Sequence, residues 1–185
     1  SAGSLHLRDA VVLLDANRLA GAADITFDGP RPKVAAQVDA GQLLLAGLGG
    51  APATGTGAAA DAGWPRGTID VSALGLADAE VALRFAGADL GGTKLGPARL
   101  LLTLDRARAV IEAREVQAFG GTIAGQFVIN GRGGLSVGGD LAFAGIAMQQ
   151  LLRDLAGYDR LLADGDLKVN FLGVGNSVAA IMASL

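Results

Sequence analysis

Gly134-Leu135-Ser136-Val137-Gly138 has the G-x-S-x-G spacing of a hydrolase nucleophile elbow. That motif needs a strand, a sharp turn and a helix, with a base histidine later in the chain. Here Ser136 sits within an alternating apolar run, and the one histidine, His6, lies far upstream. The pattern therefore reads as a serine on the polar side of a glycine-rich strand. His6 as a metal ligand would have only carboxylates for company, since the chain has no cysteine. Asp164 and Asp166 could pair as acid and base, but they stand at a turn into a strand, where aspartate is a common turn residue. Gly173-Val174-Gly175 before an apolar helical spacing is a fragment of a phosphate-binding loop without the third glycine or the partner acid. Arg153/Asp154 and Asp159/Arg160 read as solvated charges beside a helix, with a docking patch as the functional alternative. Trp64-Pro65 reads as an anchor of the chain onto the sheet, or else as a partner contact. No catalytic constellation assembles from these groups, and no cofactor or metal is called for.

Composition narrows the classes further. Of 185 residues 51% are hydrophobic but only 4% aromatic, so the apolar mass is Ala, Val, Leu and Ile. Glycine numbers 29, about twice the usual share of roughly 7%, and falls mainly between apolar runs, as in many short strands joined by turns. A mean hydropathy of +0.43 hints at apolar surface used for more than a core. The net charge is −3 and the basic residues are scattered, at most two in three positions as at Arg106 and Arg108, so no nucleic-acid footprint is visible. Residues 40–60 and 169–185 carry no charge. The first has only Leu43–Leu48 as an apolar stretch and the second is broken by Asn170, Asn176 and Ser177, both short of the ~20 residues of a span. Ser1-Ala2-Gly3-Ser4 carries no weight.

The elements that would position any site are strands. Val81, Leu83, Phe85; Leu100, Leu102, Leu104; Ile123, Phe127, Ile129; and Leu135, Val137, Leu141, Phe143 recur with a period of two, which puts each set on one face of a sheet. The pattern predicts strands near 5–14, 19–27, 33–39, 42–46, 79–87, 95–105, 108–118, 122–130, 134–143 and 166–172. Gly, Asn and Asp turns separate them, which favours an antiparallel meander. Residues 49–68 are rich in Gly, Ala, Thr and Pro and read as a linker or long mobile loop between a sheet portion at 1–48 and a larger module at 69–185. Met148, Leu151, Leu152, Leu155 and then Val178, Ile181, Met182, Leu185 change to helical spacing. Gly157 would stop the first helix and Asn176 would cap the second. Each helix follows a Gly-Asp-Leu strand, at Gly139-Asp140-Leu141 and Gly165-Asp166-Leu167. Leu90-Gly91-Gly92-Thr93 echoes Phe119-Gly120-Gly121-Thr122, as if one hairpin device were used twice.

These residues, in order, carry a resemblance. Trp64, Ile69-Asp70-Val71-Ser72-Ala73-Leu74 and the alternating Ala79-Glu80-Val81-Ala82-Leu83 are similar to the start of the C-terminal module of the AsmA family. Ala118-Phe119-Gly120-Gly121-Thr122-Ile123-Ala124-Gly125 resembles that family's glycine-pair hairpin, with Phe119 where Tyr is frequent. Leu151–Leu161 and Ala180–Leu185 resemble its helices, while residues 1–47 fit more loosely. The resemblance implies a periplasmic protein of Gram-negative bacteria, held in the inner membrane by a helix outside this chain. It also implies a part in outer-membrane biogenesis, with phospholipid carried between membranes in a β groove, and no catalytic residues. The fold expected is mainly β: a curved, mainly antiparallel, groove-like or taco-like sheet with two short C-terminal amphipathic helices. Its concave apolar face would be lined by Leu83, Phe85, Leu102, Leu104, Phe127 and Ile129, which would take lipid acyl chains. Two alternatives stand beside that one. The same residues could form an ordinary core sealed by the helices, or the domain could be a protein-interaction module that helps outer-membrane protein assembly without lipid.

Overall fold

A computed structural model of the chain describes residues 3–45, 66–90, 93–156 and 160–185. They form one open sheet in which nine strands lie side by side in chain order. The strands are β1 (Ser4–Leu14), β2 (Asn17–Thr26), β3 (Lys33–Leu44), β4 (Asp78–Asp89), β5 (Lys94–Asp105), β6 (Arg108–Ala118), β7 (Gly121–Asn130), β8 (Ser136–Ala147) and β9 (Asp164–Val174). Two helices complete it, α1 (Met148–Ala156) between β8 and β9, and α2 (Val178–Ser184) after β9. The sheet is curved and mostly antiparallel, as the alternation predicts.

One pair departs from the meander. β3 and β4 run parallel, with Val38 beside Leu83 and Ala40 beside Phe85. A parallel pair needs a long return connection, and the chain between Leu44 and Asp78 is long enough to carry it from one end of the strands to the other. The glycine-rich stretch 49–68 lies almost wholly outside the described residues, as do Trp64-Pro65, Gly91-Gly92 and Gly157. The sheet itself runs through from the 1–48 portion to the 69–185 portion without a break.

The predicted strands 33–39 and 42–46 are a single strand, β3. The alternation slips there because Ala40 and Leu43, three residues apart, are both buried. The chain changes phase without ending. Gln42 lies opposite Gly87, and its side-chain amide occupies the space where a Cβ of residue 87 would stand. The Gly-Gly-Thr echo is also inexact in space. The first hairpin closes from the Leu90 N–H to the Thr93 carbonyl, whereas the second turns one residue earlier, on Phe119 and Gly120, both with positive φ. β8 begins at Ser136, so Gly139-Asp140-Leu141 falls inside a strand rather than at its start.

Register carries the consequence for function. Leu7, Ala23, Ala36, Val81, Leu102, Ile111, Phe127, Gly139 and Phe171 pair in sequence across all nine strands. Directly paired residues share a face. Parallel rows run from Leu5 to Gly173, from Ala10 to Val169 and from Val12 to Leu167, and every position in them is apolar or glycine. The opposite face is largely polar, as in the row Gln37, Ala82, Leu101, Glu112, Gln126, Asp140, Asn170. Register shifts in β1–β2, β5–β6, β6–β7 and β8–β9 keep the rows aligned while the strands bend. The shift in β8 is pinned, since Asp166 Oδ1 accepts the N–H of Gly145, which has φ +61°.

Candidate functional site

The six residues singled out from the alternation all fall on the apolar face. Leu104 and Ile129 lie in the row that starts at Leu5, Leu102 and Phe127 in the next, Leu83 in the third and Phe85 in the fourth. Their surroundings differ. Phe85 is buried, packed with Ala40, Leu43, Ala88, Ala98 and Val116, so its ring belongs to a local core. Leu83, Leu102, Leu104, Phe127 and Ile129 are half-buried. Phe127 meets Phe171 across Gly139, ring centroids 5.8 Å apart, and the missing side chain of Gly139 leaves the room for that contact.

The helices cover only part of this face. Leu151 of α1 is buried with Ala118, Phe119 and Ile146, and Ile123, Phe143 and Leu167 pack against that cluster, so α1 sits on the apolar side of β7–β9 at one end of the strands. Burying a leucine of this kind contributes about 2 kcal/mol. α2 sits at the other end of β9, where Ile181 is buried over Gly173. The cap of α2 is Ser177 rather than the expected Asn176: Ser177 Oγ accepts the Ala180 N–H at 3.2 Å, while the Asn176 carbonyl accepts the N–H of Ile69. Both residue types cap well, and Ser177 holds the position directly before the first helical residue, Val178. From Ile69 the chain runs past the strand ends, with Val71 against Gly131 and a single 3₁₀ turn (Ser72–Gly75) beside β6, and enters β4 at Asp78. Among the described residues the helices contact chiefly β8 and β9, and the α1 cluster reaches only Ala118 of β6 and Leu95 of β5 at one end of those strands.

The rim where β4 starts is stitched by ion pairs. Arg31 Nε and Nη2 donate to the two carboxylate oxygens of Asp78, each at 3.2 Å, and the Arg106 N–H donates to Asp78 Oδ1 at 2.9 Å. Arg132 Nη2 donates to Asp105 Oδ2 at 2.7 Å. The Arg106 N–H, then the Arg31 guanidinium, hold the Asp78 carboxyl below the ordinary carboxylate range, and Arg106 with Arg132 does the same for Asp105. The folded chain thus takes up these protons less readily than the unfolded chain. The network's contribution is complete above about pH 4 and is lost as pH falls further. Thermal melts from neutral pH to about pH 3 will show stability falling with acid, and Asp78→Asn will lower the neutral value and flatten that fall. An acid slope unchanged in Asp78→Asn would contradict the clamp.

The other sequence motifs are placed as follows. Ser136 opens β8, paired with Asn130 and Val174, and is not on a strand–helix turn. Gly173 and Val174 are strand residues. Arg153 and Asp154 approach to 3.5 Å on α1. One arrangement escaped the sequence reading. His6 Nδ1 and Asp24 Oδ1 are 2.6 Å apart across β1–β2, and Ser4 Oγ lies 3.3 Å from His6 Nε2. The order is that of a serine, a base and an orienting acid, but Arg8 Nη2 donates to the same Asp24 oxygen at 2.6 Å and the side chains of His6, Arg8 and Asp24 are exposed. The surface depression of about 380 Å³ that Arg8 and Asp24 line includes neither Ser4 nor His6. A nucleophile needs enclosed donors for the developing oxyanion, so this is an edge ion pair. No local signal marks it, because the partners are joined only by strand register.

Among the described residues no group of acidic or histidine side chains could hold a metal ion, and no helix is long and apolar enough to cross a membrane. No family model matches the chain, and no curated protein or solved structure matches it either.

Proposed function

We propose that the apolar face of β1–β6 is a seat for lipid acyl chains and that the chain is a non-catalytic module of an AsmA-like envelope protein. In this reading it lies in the periplasm, its parent is anchored in the inner membrane, and its cargo is phospholipid moving between membranes. The observation that carries the reading is the unbroken set of apolar rows, of which those through Leu83, Leu102 and Leu104 stay half-buried among the described residues while the row through Phe85 is a local core. A monomeric soluble domain seldom leaves so long an apolar face open without a use for it. An acyl chain laid on the face gains roughly 0.8 kcal/mol for each buried CH₂ and needs no directional partner. That suits a carrier, which must release what it holds. The resemblance of residues 64–185 to the AsmA module supplies the compartment and the cargo class.

Transfer of a fluorescent phospholipid from donor to acceptor vesicles tests the reading. The protein accelerates transfer in proportion to its concentration, and a soluble water-filled phase without it does not. Absence of acceleration, together with recovery of outer-membrane assembly proteins on an immobilised chain, would favour the interaction-module reading instead. The feature behind that second reading is the open edge of β1, with Leu5, Val12 and Leu14 about half exposed.

A further inference from the structure

Among the described residues β1 ends the sheet with one long side unpaired, and its surface is unusual for an edge. Val11, Val12, Leu13 and Leu14 are 50%, 54%, 73% and 52% exposed, four apolar residues in a row on both faces of the strand. Edges of this kind are normally charged or covered, because they recruit other strands. The far edge is treated differently. At β9 the N–H of Val174 is taken by Ser184 Oγ of α2 at 2.7 Å, so that end of β9 cannot accept a strand. A head-to-tail contact between β1 and the last residue of β9 is thereby blocked. A symmetric contact through β1 is not.

The bulge in β1 makes the strand complementary to itself. Leu5 and Leu7 lie on the apolar face before the bulge, and Ala10, Val12 and Leu14 after it. Arg8 and Asp9 together face a single residue of β2, and Asp9 has φ +51°. Set two β1 strands antiparallel about a two-fold axis through Ala10, and Leu7 faces Val12 of the other copy while Leu5 faces Leu14. Arg8 and Asp9 again face one residue, Val11. Without the extra residue, Val12 would face Arg8 and the apolar rows would break. On the other face His6 meets Leu13, with no like charges opposed.

We propose that two copies of this chain pair through β1 in this register, forming one continuous eighteen-stranded sheet by doubling the nine. The apolar rows then run unbroken through both copies, with the helices of each at the two outer ends. This association is independent of what the apolar face carries.

The chain has no cysteine, so single cysteines report the register cleanly. Sedimentation will give twice 18.4 kDa at micromolar concentration. Under mild oxidation Ala10→Cys, which meets itself at the axis, will form a covalent dimer, and Leu13→Cys, although far more exposed, will not. Val12→Arg will sediment at the single mass with an unchanged circular dichroism spectrum. A single-mass species for the native chain would overturn the proposal. So would cross-linking of Leu13→Cys as fast as Ala10→Cys, or a β1 edge that is covered only when phospholipid vesicles are added.

Discussion

Leu102→Asp will abolish acyl-chain binding while leaving the domain folded. Leu102 sits mid-row between Val81 and Ile111, half-buried on the apolar face. A carboxylate there stays hydrated when the face is empty and must lose that water when a chain covers it. Desolvating an unpaired charge costs several kcal/mol, and even about 3 kcal/mol weakens binding by roughly a hundredfold. Leu101→Asp is the matched control. Its side chain lies on the polar face beside Glu112 and Ala82, so binding stays within about twofold of the native chain, with surface substitutions worth about ±0.5 kcal/mol. The pair of variants also separates the seat from a sealed core. If Leu102 were core, the aspartate would cost more than about 4 kcal/mol and unfold the domain rather than empty it. Fluorescence titration with a fatty-acid probe and a urea melt on each variant give the two readouts.

Gly125→Val will be the most damaging single change to the sheet. Gly125 lies mid-face in β7 between Ala113 and Leu141, with φ +134°, a conformation that a β-branched residue adopts only under strain. Any Cβ there would also strike the backbone carbonyl of Asp140 on β8. Strain of roughly 1–3 kcal/mol, with the clash added, puts the expected loss at or above about 3 kcal/mol, a large part of a typical 5–15 kcal/mol of stability. Gly41→Ala serves as the contrast. Nothing lies within 4 Å of a Cβ at that position, and its change stays within about 0.5 kcal/mol. Urea midpoints of the three proteins measure both effects.

These two glycines look alike in the sequence, and the difference between them shows what could be read there. Period-two alternation is a local property, so Leu83, Phe85, Leu102, Leu104, Phe127 and Ile129 were legible as one face, and they share it. Helical spacing at Met148–Leu155 was legible for the same reason. Register is not local. The parallel match of β3 to β4, the bulge at Arg8–Asp9 and the meeting of His6 with Asp24 depend on strands brought together from a distance. The contact of Ile69 with the Asn176 carbonyl, across more than a hundred residues, was not legible either. Whether the apolar face is open or sealed was the least legible point, because a core strand and a groove strand alternate identically. Where α1 and α2 lie, against the apolar side of β8 and β9, was likewise a matter of tertiary placement.

An open apolar face should hold its cargo through a detergent-free preparation. Native mass spectrometry of the chain purified gently from cells is the most direct measurement of that claim. The account predicts peaks heavier than the 18.4 kDa chain, or than twice that mass, by increments of phospholipid that collisional activation strips away, and that Leu102→Asp lacks. Protein mass alone, with Leu102 protected from solvent in the empty chain, would contradict it.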